Sequence, residues 1–112
     1  MPAILKGWVD RVIRTGVAFE FPENEQRSGM PEGRLGHLRA VIFNTADTPP
    51  EREAKTVGDP LEYIWIHSVF GFTGLTDVRR RMFAPVTGSS EQQRREWLSE
   101  VRGIMSEKFP DD

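Results

Sequence analysis

Ile4, Leu5, Trp8, Val9, Val12 and Ile13 recur at the three- and four-residue spacing of a single apolar stripe, which predicts a helix over the first sixteen residues. Pro2 suits its first turn and Gly16 closes it. On the opposite face Lys6, Asp10 and Arg14 follow one another four residues apart, so opposite charges stack along the solvent side. Gly7 inside this helix costs about 1 kcal/mol relative to Ala, which predicts a close approach there by another backbone or a ligand. Residues 17–38 form a polar connector broken by Pro22, Gly29, Pro31, Gly33 and Gly36, with a short extended piece where Val17, Phe19 and Phe21 alternate with other residues.

Leu38-Arg39-Ala40-Val41-Ile42-Phe43 is a short apolar run of the kind buried on both faces of a parallel sheet. It stops at residues 44–50, where Pro49, Pro50 and small polar side chains predict a loop. A second helix is expected over residues 60–72, with Asp59 as N-cap, Pro60 at the first position, and Leu61, Ile64, Trp65, Val69 and Phe72 on one face. Residues 78–86 read as a strand whose Arg79, Arg80 and Arg81 indicate an edge with one solvated flank. Thr87-Gly88-Ser89-Ser90 then turns into a third helix with Trp97, Leu98, Val101, Ile104 and Met105 on its apolar face. Ser89 or Ser90 caps that helix, Gln92 or Gln93 reaches back, and Phe109-Pro110 ends it. The alternation of strands and helices predicts an α/β fold with a parallel sheet in one domain, residues 1–112.

Charge and composition narrow the partners. Fifteen Lys+Arg against seventeen Asp+Glu leave a net charge of -2, which argues against nucleic acid or an acidic membrane held by bulk charge. The absence of cysteine excludes disulfides, Cys-containing zinc sites, iron–sulfur clusters and thiol nucleophiles. No run reaches the roughly 20 apolar residues of a membrane span, and no basic segment precedes an apolar stretch at the N-terminus, so a soluble cytoplasmic protein is expected.

The clearest candidate for chemistry is Asn44-Thr45-Ala46-Asp47-Thr48, which leaves the carboxyl end of a buried strand, where open α/β sheets bind ligands. Its small side chains leave backbone groups open to a flat polar heterocycle, and its hydroxyl and amide groups could orient one. The same residues also suit an ordinary strand-to-helix turn capped by Asp47 or Thr48. Thr87-Gly88-Ser89-Ser90 could hold a phosphate on its N–H groups and hydroxyls, but capping alone accounts for the serines. His37 and His67 have no partner at metal or triad spacing and are read as structural, and no metal site is expected.

Met1-Pro2-Ala3-Ile4-Leu5-Lys6-Gly7-Trp8-Val9-Asp10-Arg11-Val12 strongly resembles the Pro-Ala-Ile-Leu-Lys-Gly-Trp segment of flavodoxin-like NAD(P)H:quinone oxidoreductases, the DT-diaphorase family. The resemblance continues through Asn44-Thr45-Ala46-Asp47-Thr48-Pro49, Gly58-Asp59-Pro60-Leu61-Glu62 and Phe70-Gly71-Phe72-Thr73-Gly74 to the Arg-rich strand and Trp97-Leu98. It matches the C-terminal part of the family's domain, and so implies a partial flavodoxin-like sheet without the first three strands or the flavin-phosphate loop. What it implies for function is hydride transfer from NAD(P)H through FMN or FAD to a quinone, in a truncated chain with impaired or absent activity. Asn44, Thr45, Ala46, Asp47 and Thr48 carry over as contacts to the flavin ring, mainly through backbone, and no catalytic acid carries over. Members of the family are commonly homodimers, so a homodimer or association with an N-terminal half is implied. The alternative is a non-catalytic interaction module that associates through an exposed apolar edge at residues 40–43.

Overall fold

The computed structural model describes residues 1–21, 31–56 and 58–110. Its contacts group into two units, one within Met1–Ala40 and Pro60–Val78 and the other within Val41–Asp59 and Arg79–Asp112.

In the first unit the predicted N-terminal helix forms as α1 (Ala3–Val12), a turn shorter than its stripe suggests. Thr15, Gly16 and Val17 are poor helix formers, and Gly16 adopts φ +85°, a conformation that suits Gly alone, so the chain folds back and Ala18 N–H donates to Arg14 O at 3.1 Å. Val9 is buried, whereas Ile4 is 91% and Trp8 48% exposed, so most of the apolar stripe lies open among the described residues. No heavy atom of the described residues lies within 4 Å of where a Cβ on Gly7 would sit, so no other segment of this chain makes the close approach expected there.

The connector contains a strand pair that its composition does not advertise. β1 (Phe19–Glu20) runs antiparallel to β2 (Glu32–Gly33), with Phe19 opposite Gly33. Pro22 and Gly29, read as breakers, lie outside the described residues. A Cβ on Gly33 would come within 2.2 Å of the backbone of Thr73 and Gly74, so this crossing requires glycine. Thr73, fully buried, donates its hydroxyl to Phe70 O at 2.8 Å and accepts from Leu75 N–H at 3.2 Å.

The second predicted helix departs from the regular α form. After α3 (Pro60–Glu62) the chain widens into a π-helix over Tyr63–Val69, where Phe70 N–H reaches back five residues to Trp65 O at 3.0 Å. The wider turn brings Trp65 and Phe70 together, ring centroids 5.7 Å apart and both buried, while Ile64 and Phe72 remain exposed.

β3 (Arg39–Thr45) and β4 (Asp77–Phe83), which start in the first unit and have most of their length in the second, are neighbours in a parallel sheet flanked by helices. Both strands differ from expectation at their carboxyl ends. Asn44 and Thr45, read as loop, extend β3, and β4 ends at Phe83 instead of Val86 because Pro85 has no N–H for a ladder. Pro50, read as loop, opens α2 (Pro50–Thr56), where its fixed φ suits a first helical position. No other strand pairs with β3 among the described residues, and Ala40, Val41, Ile42 and Phe43 are half-buried.

The last helix, α4 (Glu91–Lys108), starts at the predicted cap: Ser90 Oγ accepts from Gln93 N–H at 3.0 Å. Gln92 donates forward to Glu96 and does not reach back to the cap. α4 covers the sheet face carrying Phe43 and Phe83. Phe83 stacks on Phe43 at 6.2 Å between centroids and meets Trp97 of α4 at 5.6 Å, with Ile104 buried further along the helix. No helix among the described residues is long and apolar enough to cross a membrane.

Candidate functional site

Strand alternation sends Asn44 to the sheet face opposite Phe43 and Thr45, and Arg80 to the face opposite Arg81 and Phe83. There Arg80 Nε donates to Asn44 Oδ1 at 3.2 Å, and the Arg80 guanidinium pairs with Asp59 at 2.6 Å. Arg80 is 4% exposed at its side chain, so the expectation of a solvated arginine run fails at its middle member. Its neighbours are at the surface: Arg79 meets Glu107 at 3.7 Å, and Arg81 meets Glu100 of α4 at 3.0 Å while lying over the Phe83 ring. Asp59, expected as an N-cap, thus holds the buried arginine.

A guanidinium only donates, so Arg80 forces the oxygen of the Asn44 amide toward itself and the nitrogen away. That nitrogen, Nδ2, is buried and has no hydrogen-bond partner. A buried donor left unmatched costs about 1–3 kcal/mol, and this one is the one buried side-chain nitrogen or oxygen without a partner among the described residues.

The rest of the loop is fastened to the segment after β4. Ala46 N–H donates to Phe83 O at 3.1 Å, and Ala46 O accepts from Val86 N–H at 3.0 Å. Asp47 Oδ1 accepts from Thr87 N–H at 2.8 Å. The hydrogen bonds from Thr87, backbone first and then side chain, outweigh the effect of burial and hold the Asp47 carboxyl below its ordinary pKa. Thr45, Ala46, Asp47, Val86 and Thr87 line an open hollow of about 260 Å³, and Thr48 lies exposed beyond it. Thr45 also borders an apolar hollow of about 270 Å³ against Trp97, Leu98 and Val101 of α4. The five predicted residues are therefore contiguous at one strand end, and four of them have a defined role there as brace or lining.

The turn after β4 uses its hydroxyls internally. Ser89 Oγ donates to Val86 O at 2.6 Å and Ser90 Oγ is the helix cap, which matches the capping reading of these serines. His67 lies exposed beside Tyr63, ring centroids 5.1 Å apart, and His37 is exposed between β2 and β3. Sequence reasoning missed Arg80 and Asp59 as supports of the loop. The available signal was parity: Arg80 alternates in register with the apolar Val78 and Met82, so it belongs to a covered face.

A half-buried parallel strand ending in a braced loop of small residues, with helices on the flanks, defines an open α/β sheet of the ligand-binding kind. The family model described as the flavodoxin-like fold matches residues 1–104, and the chain belongs to that family. Among relatives, the FMN-dependent NADH:quinone oxidoreductase of Cereibacter sphaeroides is 37% identical over 79 residues, covering 69% of this chain and 35% of that protein. Human ribosyldihydronicotinamide dehydrogenase [quinone] is 31% identical across 96% of this chain and 48% of its own length. The crystal structure of Smu.1420 from Streptococcus mutans superimposes with a TM-score of 0.77 at 26% identity, covering 93% of this chain and 52% of that one. The chain thus spans about half the length, or less, of these relatives.

Proposed function

We propose that this chain forms part of a flavin-dependent NAD(P)H:quinone oxidoreductase and that residues 44–48 face the flavin ring. The observation that carries this reading is the strand-end loop braced through Ala46 and Asp47 beside an open hollow. Relatives whose names specify FMN-dependent NADH:quinone oxidoreduction support it. The residues lining the hollow suit a flat ring with carbonyl acceptors: Thr45 offers a hydroxyl and Ala46 a side chain small enough to leave room for the ring.

A bound flavin, FMN or FAD, would supply two-electron transfer: the hydride given up by NAD(P)H, which leaves as NAD(P)⁺, and one proton from water would pass on to a quinone as two electrons and two protons, giving the hydroquinone. The chain's own residues contribute orientation. Thr45 would orient a ring edge through its hydroxyl, Ala46 is held by backbone bonds to Phe83 at the end of β4 and to Val86 beyond it, and Asp47 keeps its carboxylate tied to Thr87 N–H. None of these side chains is asked to donate a catalytic proton.

The test is FMN titration of the purified chain by fluorescence quenching, followed by NADH consumption with a benzoquinone. Saturable quenching that is competed by riboflavin supports the reading. A chain that neither quenches FMN nor responds to it in NADH oxidation contradicts it.

A second reading concerns association and rests on α1. With Ile4 91% exposed and Trp8 48% exposed, this helix presents an apolar stripe suited to covering by protein. Under this reading the stripe is covered by a second copy of the chain or by a complementary N-terminal half of the family fold. Analytical ultracentrifugation of the wild type and Trp8→Glu checks it: self-association lost in the variant supports a second copy, and a monomeric wild type rules that partner out.

A further inference from the structure

The side of β3 turned away from β4 lacks the devices that keep strand edges apart. Residues 40–45 include no charged residue, no proline and no glycine, and Val41-Ile42-Phe43 is a run of strong strand formers. Among the described residues no strand pairs with that side. Which backbone groups face it follows from the strand's end. Ala46 directs both its N–H and its C=O to the β4 side, where they meet Phe83 O at 3.1 Å and Val86 N–H at 3.0 Å. Backbone groups alternate from side to side along a strand, so those of Ala40, Ile42 and Asn44 also face β4. Those of Arg39, Val41, Phe43 and Thr45 face the open edge.

This edge is complementary to itself. A second copy turned about a two-fold axis normal to the sheet meets it antiparallel, and centring the pair on Ile42, the middle residue of β3, matches the whole strand. Val41 then opposes Phe43 of the second copy, and the backbone groups between them are the outward ones that a hydrogen-bonded pair needs. Arg39 opposes Thr45, so no like charges meet. Ile42 opposes Ile42 across the axis as a non-hydrogen-bonded pair.

α4 supports the same symmetry. Arg81 pairs with Glu100 and Arg79 with Glu107, so α4 runs antiparallel to β4 and spends its glutamates on that strand. The opposite stripe stays open: Leu98 is 63%, Met105 40% and Phe109 44% exposed, and Leu98 borders the apolar hollow next to Thr45 of β3. The two-fold axis that joins the β3 edges puts both α4 helices on one face of the joined sheet, antiparallel, with the Leu98 end of each beside the Phe109 end of the other. The pairing that satisfies the backbone therefore also covers apolar surface.

We propose that two copies of this chain associate edge to edge through β3, with Ile42 on the two-fold axis and the open stripes of α4 packed across the seam. The surface is separate from the α1 stripe, and none of its tests uses FMN, so the flavin reading stands or falls independently.

The chain has no cysteine, so Ile42→Cys carries a single thiol. Across the axis its Cα should lie about 4.5 Å from its counterpart, within reach of a disulfide, whereas the thiols of Val41→Cys sit on a diagonal of about 7–8 Å and are not. With oxidised glutathione as oxidant, Ile42→Cys should form a covalent dimer about tenfold faster than Val41→Cys. Trp8→Glu introduced beside Ile42→Cys should leave the cross-link in place. Leu98→Glu, at an exposed position, should keep the wild-type thermal midpoint and weaken self-association in sedimentation about tenfold.

If Ile42→Cys fails to fold, an equimolar mixture of Arg39→Cys and Thr45→Cys tests the same register, and the mixed covalent dimer should exceed either self-dimer. Equal cross-linking of Ile42→Cys and Val41→Cys overturns the register and the proposal with it. Loss of the cross-link with Trp8→Glu moves the interface to α1 and overturns it, as does a Leu98→Glu that associates like the wild type. A wild type that stays monomeric throughout the micromolar range also overturns it, and leaves the edge to a strand of a different protein.

Discussion

Asn44-Thr45-Ala46-Asp47 and Thr87-Gly88-Ser89-Ser90 occupy comparable places, the first closing β3 and running just past it and the second following β4, and both are built largely of small polar residues. They use those residues differently. In the second turn the Ser90 hydroxyl caps α4 and the Ser89 hydroxyl bonds Val86 O, so the polar groups are taken up in starting a helix. In the first, backbone bonds at Ala46 and a carboxylate bond at Asp47 immobilise the loop while Asn44 keeps a buried donor with no partner. Two loops that look alike in sequence are therefore separated by which groups remain unsatisfied after folding. Residue type names the candidates, and unmatched hydrogen-bonding capacity ranks them.

The largest predicted effect is on the support the two loops share. Phe83 is buried between Phe43 and Trp97, and its carbonyl fastens Ala46. Phe83→Ala should lower stability by about 3–5 kcal/mol in urea denaturation and loosen both loops, seen as lost hydrogen-exchange protection at Ala46 and Ser89 together. If one loop keeps its protection, the two do not share this support.

Arg80→Ala empties a buried position and takes the donor from Asn44 Oδ1 and from a half-exposed Asp59, and should cost about 2 kcal/mol, while Arg79→Ala at the surface should stay within about 0.5 kcal/mol of wild type. Equal losses would mean that the arginine run acts as a uniform charged strip. Ser90→Ala should cost about 1 kcal/mol through the lost cap and leave FMN binding unchanged, which separates the helix-capping turn from the ligand loop. Weaker FMN binding in Ser90→Ala would place the cofactor's anionic end at that turn.

The smallest effect is on pH. The folded Asp47 pKa lies below its ordinary value because the carboxylate accepts from Thr87, so the bond is intact above the ordinary aspartate range and is lost as pH falls through the depressed value. The Thr87 amide proton should therefore titrate with a midpoint below that of an exposed aspartate. Asp47→Asn should abolish this titration.

Periodicity in the sequence revealed the parallel strands, α1, α4 and the Ser90 cap, because each has either an apolar stripe or a capping signature that acts over a few residues. α2 escaped because Pro50-Glu51-Arg52 and its following residues carry no apolar stripe, and a helix without one leaves no period to detect. The β1–β2 pair escaped because two residues per strand cannot establish an alternation, and the pairing depends on the crossing of Gly33 with Gly74 far along the chain. The widening of the second helix depends on the tight turn at Gly71, where a Cβ would lie 2.1 Å from His67 O. At the site, the strand-end position of residues 44–48 was legible from the run that precedes them. The burial of Arg80 was not, because a triple arginine reads as solvated until Asp59 is brought beside it from 21 residues away.

The most direct test is backbone amide shift mapping of the ¹⁵N-labelled chain as FMN is added. The predicted result is a saturable response concentrated at Asn44, Thr45, Ala46 and Asp47 and carried to Thr87 through the Asp47 bond. A response confined to residues 88–93, or none at FMN concentrations that saturate a full-length relative, would contradict the assignment of the flavin ring to the end of β3.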